Sequence, residues 1–292
     1  MKLPPLDYLC PATLAEAIAV LSAHGDTAKI IAGGQSLMPM LAFRLAAPEL
    51  LVDIGGLPGL NRIEISAEGV ELGALVTWRD IERDTGLAQA HPLLAAAIAH
   101  VAHYQIRNRG TVGGSLAHAD PAAEMPGIAV TCDAMIVIAG PEGIRMVASD
   151  QFVLGGLSTV LAHDEIVTGV HLPPWPKPRR WAFEEFARRR GDFALVGVAV
   201  FYDLDAEGAV RDAHVGVIGV ADRPMRLSAV EALLNGRHLT VDLVLAAAAL
   251  VRVSVDPSDD IHAEAAYRRD LVGVLLERAL ARAGDLSLAE AA

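Results

Sequence analysis

Gly110-Thr111-Val112-Gly113-Gly114-Ser115, answered earlier in the chain by Ala32-Gly33-Gly34-Gln35-Ser36, is the stretch around which the sequence reads as organised. Each combines a double glycine with a hydroxyl. Glycine lacks a Cβ, so it takes positive φ at little cost and lets another group approach the backbone, and successive exposed N–H groups in such a turn form a concavity for an anion. Two loops of this kind suit one diphosphate held from two sides. Either loop alone is equally what an ordinary tight turn looks like, because short glycine motifs recur by chance.

The whole chain bounds that reading. Its 292 residues suffice for a large core and two domains. Hydrophobic residues make up 53% and charged residues 21%, a globular composition with no low-complexity segment or internal repeat. A formal net charge of −12 opposes attraction to nucleic acid or an anionic membrane, so an anionic ligand must be held by local N–H groups and arginines. Cys10 and Cys132 are the only cysteines, too few for a disulfide framework, a four-cysteine zinc site or an iron–sulfur cluster. Any cluster must come from another chain. The N-terminal segment lacks the apolar run of a secretory signal, and the most apolar later run, 243–251, is far short of a membrane span. The expectation is a soluble, cytoplasmic protein.

In chain order, Thr13-Leu14-Ala15-Glu16 has capping-box spacing and opens a helix over 14–24. A strand over 29–32, the Gly33–Ser36 turn, a helix over 37–45 and a strand over 50–54 make a β-turn-α-β unit whose turn presents N–H donors. Its spacing is not the G-x-G-x-x-G of a dinucleotide-binding Rossmann unit. Strands from 63, with 69–75 the clearest, precede a short helix capped by Thr77. A longer helix is expected over 91–103 and leads into the second glycine loop; Pro121 suits the first turn of a further helix. Residues 134–139 and 144–148 read as a hairpin, and 165–172 as a strand. Pro173-Pro174-Trp175-Pro176-Lys177-Pro178 is the best linker, since proline withholds donors from a sheet and stiffens an extended connector. After it, strands over 181–189, 195–204 and 210–220 and helices over 228–234, 241–251 and 261–283 imply an antiparallel sheet with helices on one face.

With their flanks, Ala32 to Pro39 and Gln105 to Ser115, and with Asp120-Pro121 and Glu124-Met125-Pro126, the loops resemble the FAD-binding medium subunits of the molybdenum hydroxylase family, to which carbon monoxide dehydrogenase and xanthine dehydrogenase belong. The resemblance continues through Arg189-Arg190-Gly191-Asp192-Phe193-Ala194 and covers nearly the whole chain. It implies an α+β protein: a p-cresol-methylhydroxylase-type FAD-binding domain of two α/β lobes over 1–176 (about 1–56 and 57–176), then a C-terminal carbon monoxide dehydrogenase flavoprotein-type domain over 177–292 with a three-stranded antiparallel sheet and helices. It implies FAD in this chain, bound by Ala32, Gly33, Gly34, Gln35 and Ser36, by Thr111, Val112, Gly113, Gly114 and Ser115, by Glu124 near the ribityl or ring edge and by Val167 against the isoalloxazine. It also implies an iron–sulfur small subunit with [2Fe–2S] clusters and a molybdenum–pterin large subunit, assembled as a dimer of heterotrimers. Ser115 is often asparagine in relatives, and Glu185 stands where some of them carry a flavin-contacting lysine.

Other features carry plainer readings. His100 and His103 lie on one helical face without the glutamate of a metalloprotease motif. His118, Asp120 and Glu124 look like a ligand cluster, yet a helix cap at Asp120 and one carboxylate facing the cofactor explain them as well. Arg188, Arg189 and Arg190 suit either a docking patch or a solvated strand end. No catalytic acid or base is assigned, because a flavin accepts electrons itself. The rival readings are a self-sufficient FAD-dependent oxidase or reductase and a scaffold with empty loops. Residues 37–41 and 193–196 are expected either at a partner face or in the core.

Overall fold

The computed structural model describes residues 3–287. β1 (Asp7–Leu9), α1 (Leu14–His24), β2 (Ala28–Ile31), α2 (Leu37–Ala42) and β3 (Leu50–Asp53) form the first layer. Its sheet has the order β1-β3-β2 with both pairings parallel, so each strand needs a crossover, and α1 and α2 lie in those connections. Thr13 accepts the Glu16 N–H, starting α1 as expected, but the Glu16 carboxylate returns to the Ala12 N–H rather than to Thr13. Ala17 and Leu21 are thereby turned onto Val52 and Ile54.

The second part contains β4 (Ile63–Ser66), β5 (Gly69–Gly73), α3 (Trp78–Arg83), α4 (Thr85–Ala90), α5 (Pro92–Ile98), α6 (Tyr104–Arg107), α7 (Val112–His118), α8 (Glu124–Thr131), β6 (Met135–Gly140), β7 (Gly143–Ala148), α9 (Ser149–Phe152), β8 (Val153–Gly155), β9 (Ser158–Thr159) and β10 (Ile166–Leu172). Its five-stranded antiparallel sheet runs β4-β5-β10-β6-β7, and the expected hairpin is β6–β7. Thr77 caps α3 in a full capping box with Asp80. The helix expected over 91–103 is shorter: His91 is its N-cap, it ends at Ile98, and the chain bends through Ala102 at φ 43 before α6. Pro121 lies ahead of α8 rather than in it, because Asp120 closes a local turn by accepting the Ala122 N–H.

β11 (Arg180–Phe186), β12 (Val196–Leu204), β13 (Val210–Ile218) and β14 (Met225–Arg226), followed by α10 (Ser228–Leu234), α11 (Val241–Ser254) and α12 (Ala265–Ala283), complete the chain. The three long strands are antiparallel as expected, and the two-residue β14 adds a fourth. β12 reads Val-Gly-Val-Ala-Val-Phe-Tyr over 196–202 and is buried along that stretch, because both faces are covered. Val196, Val198 and Val200 join the core beneath α10–α12, whereas Ala199 and Phe201 join the core of the second part. The expectation of helices on one face therefore misses α8, which lies directly on β13: a Cβ added at Gly216 would sit 1.8 Å from Thr131 Oγ1. The proline run is no loose tether, since Trp175 packs on His91 at 4.6 Å and on Phe201 at 5.2 Å between ring centroids. No helix among the described residues is long and apolar enough to cross a membrane.

Candidate functional site: a cavity between two glycine loops

The two glycine loops touch. A Cβ on Gly33 would fall 2.0 Å from the Arg109 carbonyl oxygen, so only glycine lets the first loop lie on the second. Arg109 Nε donates back to the Gly33 carbonyl at 3.3 Å, and Gln35 Nε2 donates to the same oxygen at 3.0 Å. Gly34 has φ +72°, the turn conformation expected of a glycine. Among the described residues no backbone carbonyl accepts from the N–H groups of Gly33, Gly34, Gln35 or Ser36. These four are the donors an anion can claim.

The second loop works differently from the expectation of a positive-φ turn. It is the start of α7: Thr111 is the N-cap, and its Oγ1 accepts the Gly114 N–H at 3.1 Å. Val112 and Gly113 donate to the Val76 and Ala74 carbonyls at 2.9 and 2.8 Å, and Ser115 donates to the Thr111 carbonyl. Its N–H groups are thus largely spent. Glycine is needed at 113 for proximity, since a Cβ there would meet Ala74 Cβ at 2.5 Å, and at 114 a Cβ would sit 2.8 Å from the capping Thr111 Oγ1. What this loop offers a ligand is hydroxyls and a surface without side chains. Gly114→Val is expected to break the cap and lose bound flavin at a stability cost of about 1–3 kcal/mol. Flavin absorbance per chain, read beside circular dichroism, checks this; full flavin occupancy would contradict it.

Both loops open into one cavity of about 810 Å³, within the roughly 300–1,000 Å³ typical of ligand sites. Ala32 to Ser36, Thr111, Gly113, Gly114, Ser115, Glu124 and Val167 line it; Val112, the first residue of α7, does not, its side chain being fully buried in the core. No local pattern marks the further wall drawn from residues 157–163, nor its tie to α1, where Ser22 Oγ donates to Asp164 Oδ2 at 2.9 Å. Glu165, also lining, is paired with Arg145 at 2.6 Å, and that bond holds its carboxyl below the usual range. Phe193 closes another edge at 59% exposure. Of the two segments expected at a partner face or in the core, Leu41, Leu195 and Val196 are core, while Met38 and Phe193 are exposed.

The electrostatics are unusual at two acids. Glu124, in the first turn of α8, is 6% exposed, and burial, with the Asp120 charge adding to it, pushes its carboxyl up to about 7. Burial and then the Glu124 charge push Glu185 up to about 8; Glu185 is not among the lining residues. His118 and Asp120 line the cavity beside Glu124, but no group of three His, Cys, Asp or Glu side chains among the described residues is placed to hold a metal. His100 and His103 part company: His103 starts α6 beside Gly191, whereas His100 faces Glu185 at 3.7 Å. Among the described residues Arg188 reaches only His262, at 3.5 Å.

A raised folded-state pKa makes Glu124 a pH-dependent liability. The unfolded chain loses that proton near the ordinary value of 4.5 and the folded chain only near 7, so its contribution to stability falls as pH rises between them. Buried His91, pushed down to about 4, acts at the other end, its contribution falling as pH drops below 6.5. Glu124→Gln is therefore expected to raise the melting temperature of flavin-free chain at pH 8, by up to roughly 3 kcal/mol of stability, and to change little at pH 4. Thermal unfolding of both proteins at the two pH values decides; an equal shift at both would contradict it.

Comparison with known proteins agrees with this geometry. Residues 4–175 match the family described as FAD binding domain in molybdopterin dehydrogenase, and residues 181–283 match the CO dehydrogenase flavoprotein C-terminal domain. The chain is 40% identical to the nicotine 6-hydroxylase medium subunit of Paenarthrobacter nicotinovorans, over 97% of this chain and 99% of that one. It is 34% identical to the carbon monoxide dehydrogenase medium chain of Hydrogenophaga pseudoflava, over 95% and 96%. A solved carbon monoxide dehydrogenase from Hydrogenophaga pseudoflava, which lacks the Mo-pyranopterin moiety of its cofactor, superposes with a TM-score of 0.94 at 35% identity, covering 97% of this chain and 98% of that one. Quinoline 2-oxidoreductase from Pseudomonas putida 86 does so with a TM-score of 0.92 at 38% identity, covering 98% and 99%. With paired glycine loops, one cavity and both domains matched, the chain belongs to the family of FAD-binding medium subunits of the molybdenum hydroxylases.

Proposed function

We propose that this chain is the FAD-containing electron-transfer subunit of a heteromeric molybdenum hydroxylase or dehydrogenase. It takes electrons from [2Fe–2S] clusters of a small partner subunit, which are fed by a molybdenum–pterin centre in a large one, and passes them to an external acceptor. The observation that carries this is the cavity itself, with unclaimed N–H groups at Gly33 to Ser36 and a glycine-thinned wall at Gly113 and Gly114. Those features fit FAD, which when bound supplies the electron-accepting chemistry. Gly33, Gly34, Gln35 and Ser36 hold its diphosphate by backbone donors, and Ala32 continues that wall. Thr111, Gly113, Gly114 and Ser115 present hydroxyls and bare backbone, Val112 holds α7 in place from behind, Glu124 places a carboxyl at the wall and Val167 an apolar side chain. Leu157, Leu161, Ile166 and Val167 add apolar surface to that wall.

The FAD-binding unit spans 1–176, with lobes at about 1–56 and 57–176, and the C-terminal unit 177–292; the family matches end and resume around the proline run. The complex is a dimer of heterotrimers in the cytoplasm. Exposed Phe193 at the cavity edge, and exposed Met38 between the lining residues Leu37 and Pro39, mark its partner face. The test is purification from the native source: an iron–sulfur chain and a molybdenum chain should co-purify, with acid-released flavin running as FAD. A chain that alone turns over an organic substrate would instead make it a self-sufficient oxidase or reductase, and one without a flavin spectrum a scaffold.

A further inference from the structure

Glu185 is a buried acid with an idle oxygen. Its side chain is 4% exposed, and Oε2 meets no hydrogen-bond donor among the described residues. A carboxylate buried that way lacks the donors or counter-charge that would stabilise its ionised form. A second buried carboxyl stands on the helix that packs over the same strands. Glu185 of β11 pairs with Gly197 of β12, and Gly197 with Ile218 of β13. Gly127 of α8 rests on Ile218, where its Cβ would lie 2.4 Å from Ile218 Cγ2, and Glu124 stands at the start of the same helix, lining the cavity. On the opposite side of Glu185, His100 Nδ1 stands 3.7 Å from Oε1, and the imidazole is 42% exposed. His100 is thus the partly exposed member of the set, Glu185 is buried beside it, and Glu124 lines the cavity.

The surrounding charges leave the pair without a cation of its own. Arg282 of α12 is committed to Glu184 at 2.8 Å. Burial, and then Arg190 and Arg282, hold the His100 pKa down. Asp120, ahead of α8, adds negative charge at Glu124, and half-buried His118 faces Asp120. Two carboxyls crowded in this way resist double ionisation, and their titration belongs to the pair rather than to either member.

We propose that Glu124 and Glu185 share one exchangeable proton at the wall of the flavin cavity, that His100 connects the pair to solvent, and that the pair takes up a second proton when the flavin is reduced. This rests on the flavin reading of the cavity. The balance is simple. Two electrons from the partner clusters reside on the flavin with the one or two protons its reduction requires; beyond those, one further proton leaves bulk water, crosses His100 and forms an O–H bond on the remaining carboxylate, taking the pair from one negative charge to neutral. Reoxidation returns that proton, and no other bond of these residues changes. Glu185 acts here as a positioning residue for a proton and needs no contact with the flavin.

The experiment uses the FAD-loaded complex, with Glu185→Gln as the isosteric neutral variant, Glu124→Gln as a second and His100→Ala as the gate. Protons consumed per two electrons are counted with an indicator dye in weak buffer near pH 7.5, flavin content is measured on each sample, and the protonated-carboxyl infrared band is recorded. Glu185→Gln and Glu124→Gln are expected to consume up to one proton fewer per flavin than the parent and to lose the exchangeable carboxyl band. His100→Ala should slow proton uptake without changing the count. Equal counts and an unchanged band in both glutamine variants, at equal flavin content, would overturn the proposal and leave the flavin site standing. A parent complex whose chain carries no flavin would overturn the cavity reading, and this inference with it.

Discussion

A chain carrying Gly33→Val is expected to purify without flavin, with FAD affinity lowered beyond about 100-fold. The reason is the 2.0 Å between a Cβ at this position and the Arg109 carbonyl oxygen, an atom of the backbone that no rotamer change can move aside. One of the two loops must retreat, and either retreat takes donors away from the diphosphate. A retreat of more than an ångström breaks N–H···O bonds whose useful range spans only ~0.5 Å, and losing two charge-assisted bonds of about 1.5–3 kcal/mol each accounts for the factor. The three cores lie elsewhere, so the fold should persist. Flavin stoichiometry by absorbance, with far-ultraviolet circular dichroism as the control for folding, tests this. Parent-level flavin in a folded Gly33→Val chain would remove the first loop from the site.

The second large effect is expected far from the glycine loops. Arg268 of α12 is 6% exposed and donates through Nη1 to the carbonyls of Leu195 and Gly219 and through Nη2 to Asp260 at 2.7 Å. The Gly219 N–H in turn holds the Pro121 carbonyl at 3.0 Å, beside Asp120 of the cavity wall, and Leu195 follows the cavity edge at Phe193. One guanidinium of the C-terminal helices thereby sets two edges of the site. Arg268→Leu leaves two carbonyls without their donor, each worth about 1–3 kcal/mol when buried, so a total loss of about 2–6 kcal/mol is expected. Arg268→Lys should recover only part of it, since one ammonium cannot span the same acceptors as a planar fork. Melting temperature and FAD dissociation constant, measured on the same samples, should move together. A fall in stability with unchanged FAD affinity would show that the clamp does not reach the cavity.

How far these features were legible differs from residue to residue. Gly34 could be read from sequence because its demand is local: a φ of +72° is a property of one residue and its turn. Gly33, Gly113 and Gly114 stand out in the sequence as glycines, but the close approaches that require glycine there are not carried by the sequence. Gly33 answers to Arg109, Gly113 to Ala74 and Gly114 to a cap on Thr111, and only the last of these is a near neighbour in the chain. The helix over 91–103 was read too long for a similar reason. Its apolar run continues in sequence, yet the chain must turn at Ala102 to bring Arg109 onto Gly33, and that demand is set by a loop on a different sheet.

By itself, the sequence determined the α+β order of elements, the antiparallel C-terminal sheet, the lack of cysteines for a cluster and the two stretches that meet at the site, because periodicity, capping and turn chemistry act over a few residues. The tertiary structure alone decided which N–H groups remain free, since Val112 and Gly113 spend theirs on strand-end carbonyls that no spacing rule identifies. It also decided that α8 lies on β13, that Arg268 reaches back to the cavity edge, that Glu124 and Glu185 are buried acids, and that His100 stands beside Glu185. The physical reason is common to all of them. Desolvation and hydrogen-bond competition depend on what surrounds a group in space, and those neighbours arrive from distant parts of the chain only when the layers close.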